Sequence, residues 1–212
     1  MLFIGICGAS GSGKTTLAEE LCKAVGIEKT YIINQDSYYQ DNRELSYEQR
    51  CKLNYDEPSI FEHQELYNDV VELLSGKPIY KKDYDFATHT RNDSRTFIEP
   101  VDLLILEGIH AFYDERLCDL MFLKLYINVE PDICLLRRIN RDILERQRSI
   151  ESISKQYLST VKPMYDKYIR NYIQSADVIV TRGGKNAKIV EILASYMRGA
   201  LFSKKTDVLL KS

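Results

Sequence analysis

The amino-acid sequence predicts an α/β fold: a parallel sheet of about five strands flanked by helices. Three observations lead there. Short apolar runs alternate with helical patterns, which implies parallel strands covered on both faces. The segment Gly8-Ala9-Ser10-Gly11-Ser12-Gly13-Lys14-Thr15 lies between an apolar run and a helical pattern. That is the strand, loop and helix context of a phosphate-binding loop. Residues 77–100 break the alternation with Pro78, several Tyr and Thr, and the turn-like Arg91-Asn92-Asp93-Ser94. They read as a β-hairpin insertion.

The strands are expected in the order Leu2–Cys7, Tyr31–Asn34, Leu103–Leu106, Leu123–Asn128 and Val178–Val180. Helical patterns run over 16–25, 64–75, 132–147, 151–172 and 187–199. Pro131 with Asp132 opens the third of these, because proline suits a first helical turn. The pattern weakens over 201–212, which is expected to be a loosely held tail. The whole of 1–212 is expected to form one domain, long enough to bury a substantial core.

Composition excludes several function classes. The chain has 29 basic and 31 acidic residues, a formal charge of −2, and so no nucleic-acid footprint and no support for a membrane-surface role. Its five cysteines are an odd number, widely spaced and without a C-x-x-C pair. That usage suits a reducing compartment. No apolar run approaches the roughly 20 residues that span a bilayer. The first apolar run has no basic segment before it and ends at the phosphate loop, so it reads as a strand and not a signal peptide. The expected location is cytoplasmic. No pair of histidines has metal-ligand spacing.

The phosphate loop points to a nucleoside triphosphate. Its glycines let backbone N–H groups turn toward phosphate oxygens, and the following helix aims its positive end at the same anion. Gly8 through Thr16 are the expected triphosphate-binding residues, with Lys14 reaching the β- and γ-phosphates and Thr15 holding Mg²⁺ through its hydroxyl. Glu107 ends the apolar run Leu103–Leu106. At the carboxyl end of a parallel strand, it is a candidate to hold Mg²⁺ directly or through water. Asp36 follows the second strand and would face the γ-phosphate, where a carboxylate can orient a hydroxyl and accept its proton. A turn aspartate after a strand is the plainer alternative. Arg137, Arg138, Arg141, Arg146 and Arg148 crowd one stretch, and 137–150 is a candidate lid over the phosphates. A solvated face, with Asp142 pairing to Arg138 or Arg146, is the alternative there.

Further segments carry a resemblance. Asp36-Ser37-Tyr38-Tyr39, Asn54-Tyr55-Asp56-Glu57-Pro58, Tyr84-Asp85-Phe86-x-x-His89-Thr90-Arg91, Glu107-Gly108-Ile109, Arg138-x-x-Arg141-Asp142 and Gln156-Tyr157-x-x-x-Val161-Lys162-Pro163-Met164 occur in one order along nearly the whole chain. Together they closely resemble the uridine kinase (uridine–cytidine kinase) family of P-loop kinases. The resemblance implies transfer of phosphate from ATP or GTP, with Mg²⁺, to the 5′-hydroxyl of uridine or cytidine in pyrimidine salvage. It implies Asp36 as general base, with Lys14 and Arg141 in the catalytic set, and Thr15, Asp36 and Glu107 around the metal. Asp56 and Arg138 match ribose-binding positions; Tyr84 and His89 match those that bond the pyrimidine edge. Tyr55 and Phe86 would pack on the base, and Tyr39 would close the pocket. Arg148 and Gln156 match substrate-contacting positions, Arg141 and Arg146 the lid over the triphosphate, and Lys185 a position near the donor base. Members of the family are commonly homotetramers.

This chain departs from the family pattern at Glu57, Glu62, Asp83, Gln147 (where glycine is often seen) and Lys185. The nearest rival reading is another small-metabolite kinase, phosphoribulokinase-like or pantothenate kinase-like. A non-catalytic nucleotide sensor is the rival from a different class, and it would not need the hairpin insertion.

Overall fold

The structure is a computed structural model that describes residues 1–209, with side chains described through Ser203. Its strands are β1 (Leu2–Gly8), β2 (Thr30–Asn34), β3 (Ile79–Asp85), β4 (Thr90–Ile98), β5 (Leu103–Gly108), β6 (Leu123–Asn128) and β7 (Val178–Thr181). Its α-helices are α1 (Lys14–Val25), α2 (Tyr47–Arg50), α3 (His63–Leu74), α4 (Glu115–Leu120), α5 (Pro131–Leu144), α6 (Ile150–Gln156), α7 (Lys162–Lys167) and α8 (Ala187–Leu209). The five expected strands are present and form one parallel sheet, in the order β2-β5-β1-β6-β7.

Alternation along β1 builds both halves of the core. Leu2, Ile4 and Ile6 face α1 and α8, packing with Leu17, Leu21, Leu193 and Met197. Phe3 and Cys7 face the opposite layer, with Ile33, Leu66, Val70 and Tyr126. Burial on both faces is why the strand reads as a continuous apolar run. The register aligns the functional ends: Asn34 lies opposite Glu107, Glu107 opposite Ile6, and Gly8 opposite Ile127. The residues that follow β1, β2 and β5 therefore emerge at one rim of the sheet.

Four details differ from the sequence reading. The hairpin β3–β4 turns at 86–89, not at Arg91-Asn92-Asp93-Ser94, which lies within β4. The Asp85 carboxylate accepts the Ala87 backbone N–H at 2.8 Å, and His89 takes a left-handed φ of 54°; together they make the reversal. The hairpin is tied to α3 by the buried Arg91, whose guanidinium grips the Glu65 carboxylate with two hydrogen bonds.

The helix expected over 132–147 ends at Leu144, and Gln147 beyond it is left-handed with φ 53°. The helix expected over 151–172 is broken. It runs as α6, then a π-helical turn over Tyr157–Val161, then α7, then a 3₁₀ stretch over Ile169–Ser175. Pro163 explains the wide turn. It has no N–H to give and its ring crowds the carbonyl four residues back, so Lys162 N–H bonds to Tyr157, five residues back. Lastly, the first part of the expected loose tail continues α8 as far as Leu209, while 210–212 lie outside the described residues. Among the described residues no helix is long and apolar enough to cross a membrane.

Candidate active site

The loop from Gly8 to Gly13 connects β1 to α1 and is held by its glycines. Gly11 has φ 83°, and a Cβ there would come 2.3 Å from the Cys134 carbonyl oxygen. Glycine is required at that point by both backbone conformation and space. Lys14 is buried, and its Nζ donates to the Ala9 carbonyl at 3.0 Å, so the ammonium is folded over its own loop. The Ser12 hydroxyl is buried without a hydrogen-bond partner. A cation and an unsatisfied hydroxyl inside a loop at a helix amino terminus fit a phosphate oxygen. Thr15 and Thr16 open α1 beside them.

Three carboxylates approach from the rim. Glu107 is 3 % exposed and accepts the Thr15 hydroxyl at 2.8 Å. Burial raises its pKa above the ordinary glutamate value; Lys14 opposes that shift and Asp36 adds to it. Asp36 sits in the 3₁₀ turn after β2, where its backbone N–H is held by the Asn34 side chain at 2.9 Å. Its charge also acts on Asp56, Tyr39, Tyr84 and Arg146, which places it near each of them. Asp56 is buried, its pKa raised by desolvation and lowered in part by Arg138 and by the Thr160 hydroxyl, which donates to it at 2.9 Å.

Among the described residues no cluster of three or more His, Cys, Asp or Glu side chains is set to hold a metal alone. A hydroxyl and a buried carboxylate in contact, with a second carboxylate near, nevertheless fit Mg²⁺. That ion takes one or two carboxylates and completes its shell with phosphates and water.

The arginines of α5 and the following turn converge on one acid. Asp142 is fully buried. Arg141 donates to its Oδ1 at 2.8 and 3.0 Å, and Arg146 stands 3.7 Å from the same oxygen. Arg148 and Arg138 approach Oδ2 at 3.4 and 3.7 Å. Arg138 also donates to the Ser10 hydroxyl at 2.9 Å and to Gln156 at 3.0 Å, and Arg148 donates to the same Gln156 oxygen at 2.6 Å. Arg146 lies over the Phe86 ring at 5.3 Å, so the arginine-rich stretch touches the tip of the hairpin.

A separate cluster of packed side chains is mostly aromatic. Tyr39 stacks on Phe61 at 4.5 Å and meets Tyr84 at 5.1 Å; Tyr55 stacks on His89 at 4.9 Å. Phe86 packs edge-on to Tyr84. The Tyr55 and Tyr84 hydroxyls perturb each other's ionisation, yet both are buried with no hydrogen bond of normal geometry. Burial, with Arg50 and Arg148 nearby, lowers the His89 pKa, so its ring is neutral at pH 7 and offers one donor and one acceptor.

Contacts and charge interactions thus link Lys14, Thr15, Asp36, Tyr39, Tyr55, Asp56, Tyr84, Phe86, His89, Glu107, Arg138, Arg141, Arg146, Arg148 and Gln156 into one neighbourhood. Lys185 is exposed on a loop whose Gly184 packs against Gly13, and it lines a cavity with Glu20, Gly184 and Glu191.

Thr160 and His110 escaped the sequence reading, and the particular contacts of Arg137 and the burial of Asp142 were not legible in it. Thr160 comes to Asp56 only through the π turn. Arg137 lies against Gly183 and donates to the Ser12 carbonyl at 3.5 Å. His110 is buried beneath Asp56: its Nε2 faces the Asp56 carbonyl at 2.8 Å and its Nδ1 the Tyr172 hydroxyl at 2.9 Å. A carbonyl only accepts, so Nε2 carries the proton and Nδ1 accepts from tyrosine. Asp142 was legible as a helix-face acid, but its burial was not.

The geometry agrees with what the chain is similar to. The model of the phosphoribulokinase / uridine kinase family matches residues 3–188. A uridine kinase of Lactobacillus helveticus is 42% identical over 201 residues, covering 94% of this chain and 95% of the relative. One of Clostridium perfringens is 40% identical over 200 residues, covering 94% and 96%. Among solved structures, phosphoribulokinase from Rhodobacter spheroides superposes with a TM-score of 0.64 at 16% identity, over 85% of this chain and 69% of that one. A possible uridine kinase from Bacillus stearothermophilus gives 0.59 at 20% identity, over 84% and 87%. At such identities the last two speak to fold alone.

Proposed function

This chain belongs to the phosphoribulokinase / uridine kinase family and is a P-loop phosphotransferase that uses a nucleotide donor; from that premise we propose that it phosphorylates the 5′-hydroxyl of uridine or cytidine, giving UMP or CMP. ATP is the proposed donor, with GTP as the alternative and Mg²⁺ as the cofactor. The observation that carries the acceptor is the pair of buried hydroxyls on Tyr55 and Tyr84, which have no polar partner but each other, with His89 stacked on Tyr55 and the Asp36 charge felt at Tyr84. Buried polar groups without partners inside an aromatic pocket favour a flat ligand with hydrogen-bonding edges. The relatives named as uridine kinases support the same reading.

In this mechanism Asp56 and Arg138 hold the ribose, since a carboxylate accepts from both hydroxyls of a 2′,3′-diol. Asp36 accepts the 5′-hydroxyl proton as that oxygen bonds to the γ-phosphorus. The bond to the bridging oxygen breaks, and the electron pair leaves with the nucleoside diphosphate. The transition state is loose, so position matters more than the basicity of Asp36. Lys14 and Arg141 offset charge on the transferring group. Mg²⁺, when bound, would add charge neutralisation between the β- and γ-phosphates, and Thr15, Glu107 and Asp36 are the residues to hold it.

A cytoplasmic location is proposed from five cysteines with no disulfide among them. A homo-oligomer, a tetramer on the family pattern, is also proposed. Tyr80 and Phe97, which pair on the hairpin at 60 % and 50 % exposure, give it modest support.

The test is nucleoside-dependent ADP release with Mg²⁺ and ATP, run with uridine, cytidine, adenosine, pantothenate and ribulose 5-phosphate. Turnover confined to uridine or cytidine is expected. Turnover confined to another acceptor, or none with ATP or GTP, overturns the reading.

A further inference from the structure

Asp142 divides its two oxygens between the two halves of the cleft. Oδ1 faces Arg141 and Arg146, and Oδ2 faces Arg138 and Arg148. On the nucleoside kinase reading, the first pair serves the triphosphate and the second pair, through Gln156, serves the nucleoside, with Arg138 also tied to the Ser10 hydroxyl of the phosphate loop. The acid also anchors the turn between them, because the Arg148 backbone N–H donates to the Asp142 carbonyl at 3.1 Å.

A surface acid pairing with one arginine would contribute little. This one is fully buried, and removing one partner from such a cluster strands charge where water cannot reach it. The carboxylate is therefore shared, and what one pair gives up the other can take.

We propose that Asp142 is a positioning residue that couples the two substrates, so that a triphosphate drawing Arg141 and Arg146 away from Oδ1 leaves the carboxylate to fix Arg138, Arg148 and Gln156 against the nucleoside. The inference rests on the acceptor assignment above. It requires that each ligand bind more tightly in the presence of the other, by the same factor in both directions.

Calorimetric titrations test it, using Mg²⁺ with a non-hydrolysable ATP analogue and uridine, each alone and each with the other saturating. The wild-type protein is expected to show coupling of about tenfold, equal whichever ligand is varied. In Asp142→Asn, which keeps the shape and removes the charge, the coupling is expected to fall to near one. A merely structural loosening would weaken each ligand alone and leave that ratio intact. Coupling retained in Asp142→Asn, or absent in the wild type although both ligands bind, overturns the inference.

Failure of wild-type protein to bind uridine or cytidine, with the analogue still bound, overturns the acceptor assignment and this inference with it; the wild-type titration alone identifies that case. Should Asp142→Asn lose its cooperative melt, Arg146→Gln and Arg148→Gln carry the test, each removing one of the two arginines at one oxygen. Both are expected to reduce the coupling, and unchanged coupling in both overturns it.

Discussion

The phosphate side and the nucleoside side of the cleft are built by opposite means. The phosphate side is one contiguous loop of backbone, from Gly8 to Thr15, set by a buried strand before it and a helix after it. Its proposed binding groups are main-chain N–H and one lysine, so it depends on where glycine sits. The proposed nucleoside side gathers side chains from 36–39, 54–61, 84–89, 138–148 and 156–160. It depends on aromatic packing and on buried hydroxyls that have only each other as neighbours. A loop of backbone tolerates side-chain change and fails on conformational change; a pocket of side chains does the reverse.

The largest effect expected falls where the two sides meet. Asp36→Asn should lower kcat by about 10²–10⁴-fold with little change in uridine affinity, because it acts on the transferring proton. Near-normal turnover would remove Asp36 from the mechanism. On the phosphate side, Gly11→Ala should cost about 2–4 kcal/mol in unfolding experiments, from left-handed strain and a clash with the Cys134 backbone. Gly76→Ala is its control. It has a similar φ of 82° with open space around it, and should cost only about 1 kcal/mol. Equal losses would mean that strain alone, and not the packed loop, sets the requirement.

On the nucleoside side the sign should reverse. Tyr84→Phe removes a buried hydroxyl that lacks a partner, so ligand-free protein should melt higher while uridine binding weakens by about 1–3 kcal/mol. A lower melting temperature would show that the hydroxyl is satisfied without ligand.

The smallest shift expected is in stability alone and depends on pH. Glu107 holds its proton more tightly when folded because burial penalises the anion. A raised folded pKa gives stability that is full below the ordinary carboxylate range and is lost as pH rises through the raised value. Glu107→Gln stays neutral throughout. It should therefore match wild type at about pH 4 and melt higher than wild type at pH 8. Mg²⁺ with nucleotide should narrow the gap by supplying the missing charge. No gap at pH 8 would mean that Lys14 fully compensates the carboxylate.

The departures from the family pattern find local accounts. Asp83 accepts the Thr96 hydroxyl at 2.9 Å and pairs with the buried Lys81 beside the irregularity in β3. Glu57 accepts the Tyr168 hydroxyl at 2.9 Å. Gln147 keeps the left-handed backbone that suits the glycine often seen there, at a cost of about 1–2 kcal/mol. Nothing in the structure explains Lys185.

By itself the sequence determined the sheet, the phosphate loop and the acid at the end of β5. Each is a contiguous signal: an apolar run buried on both faces, a spaced set of glycines, or a carboxylate one residue past four apolar ones. Pro163 was also legible, although its consequence, the π turn that carries Thr160 to Asp56, was not read from it. The hairpin turn was misread because Asn-Asp-Ser looks like a reversal, while the actual one uses an Asp85 side-chain bond and a left-handed His89.

Tertiary structure alone decided the rest. Asp142 reads as one more charge on a helix face. It becomes a buried hub only when the chain after α5 turns back and brings Arg148 and Gln156 onto Arg138. Local pattern sets which face of an element is apolar. Which distant segments share that burial, and which charges must then share one counter-ion, is settled only when the elements meet.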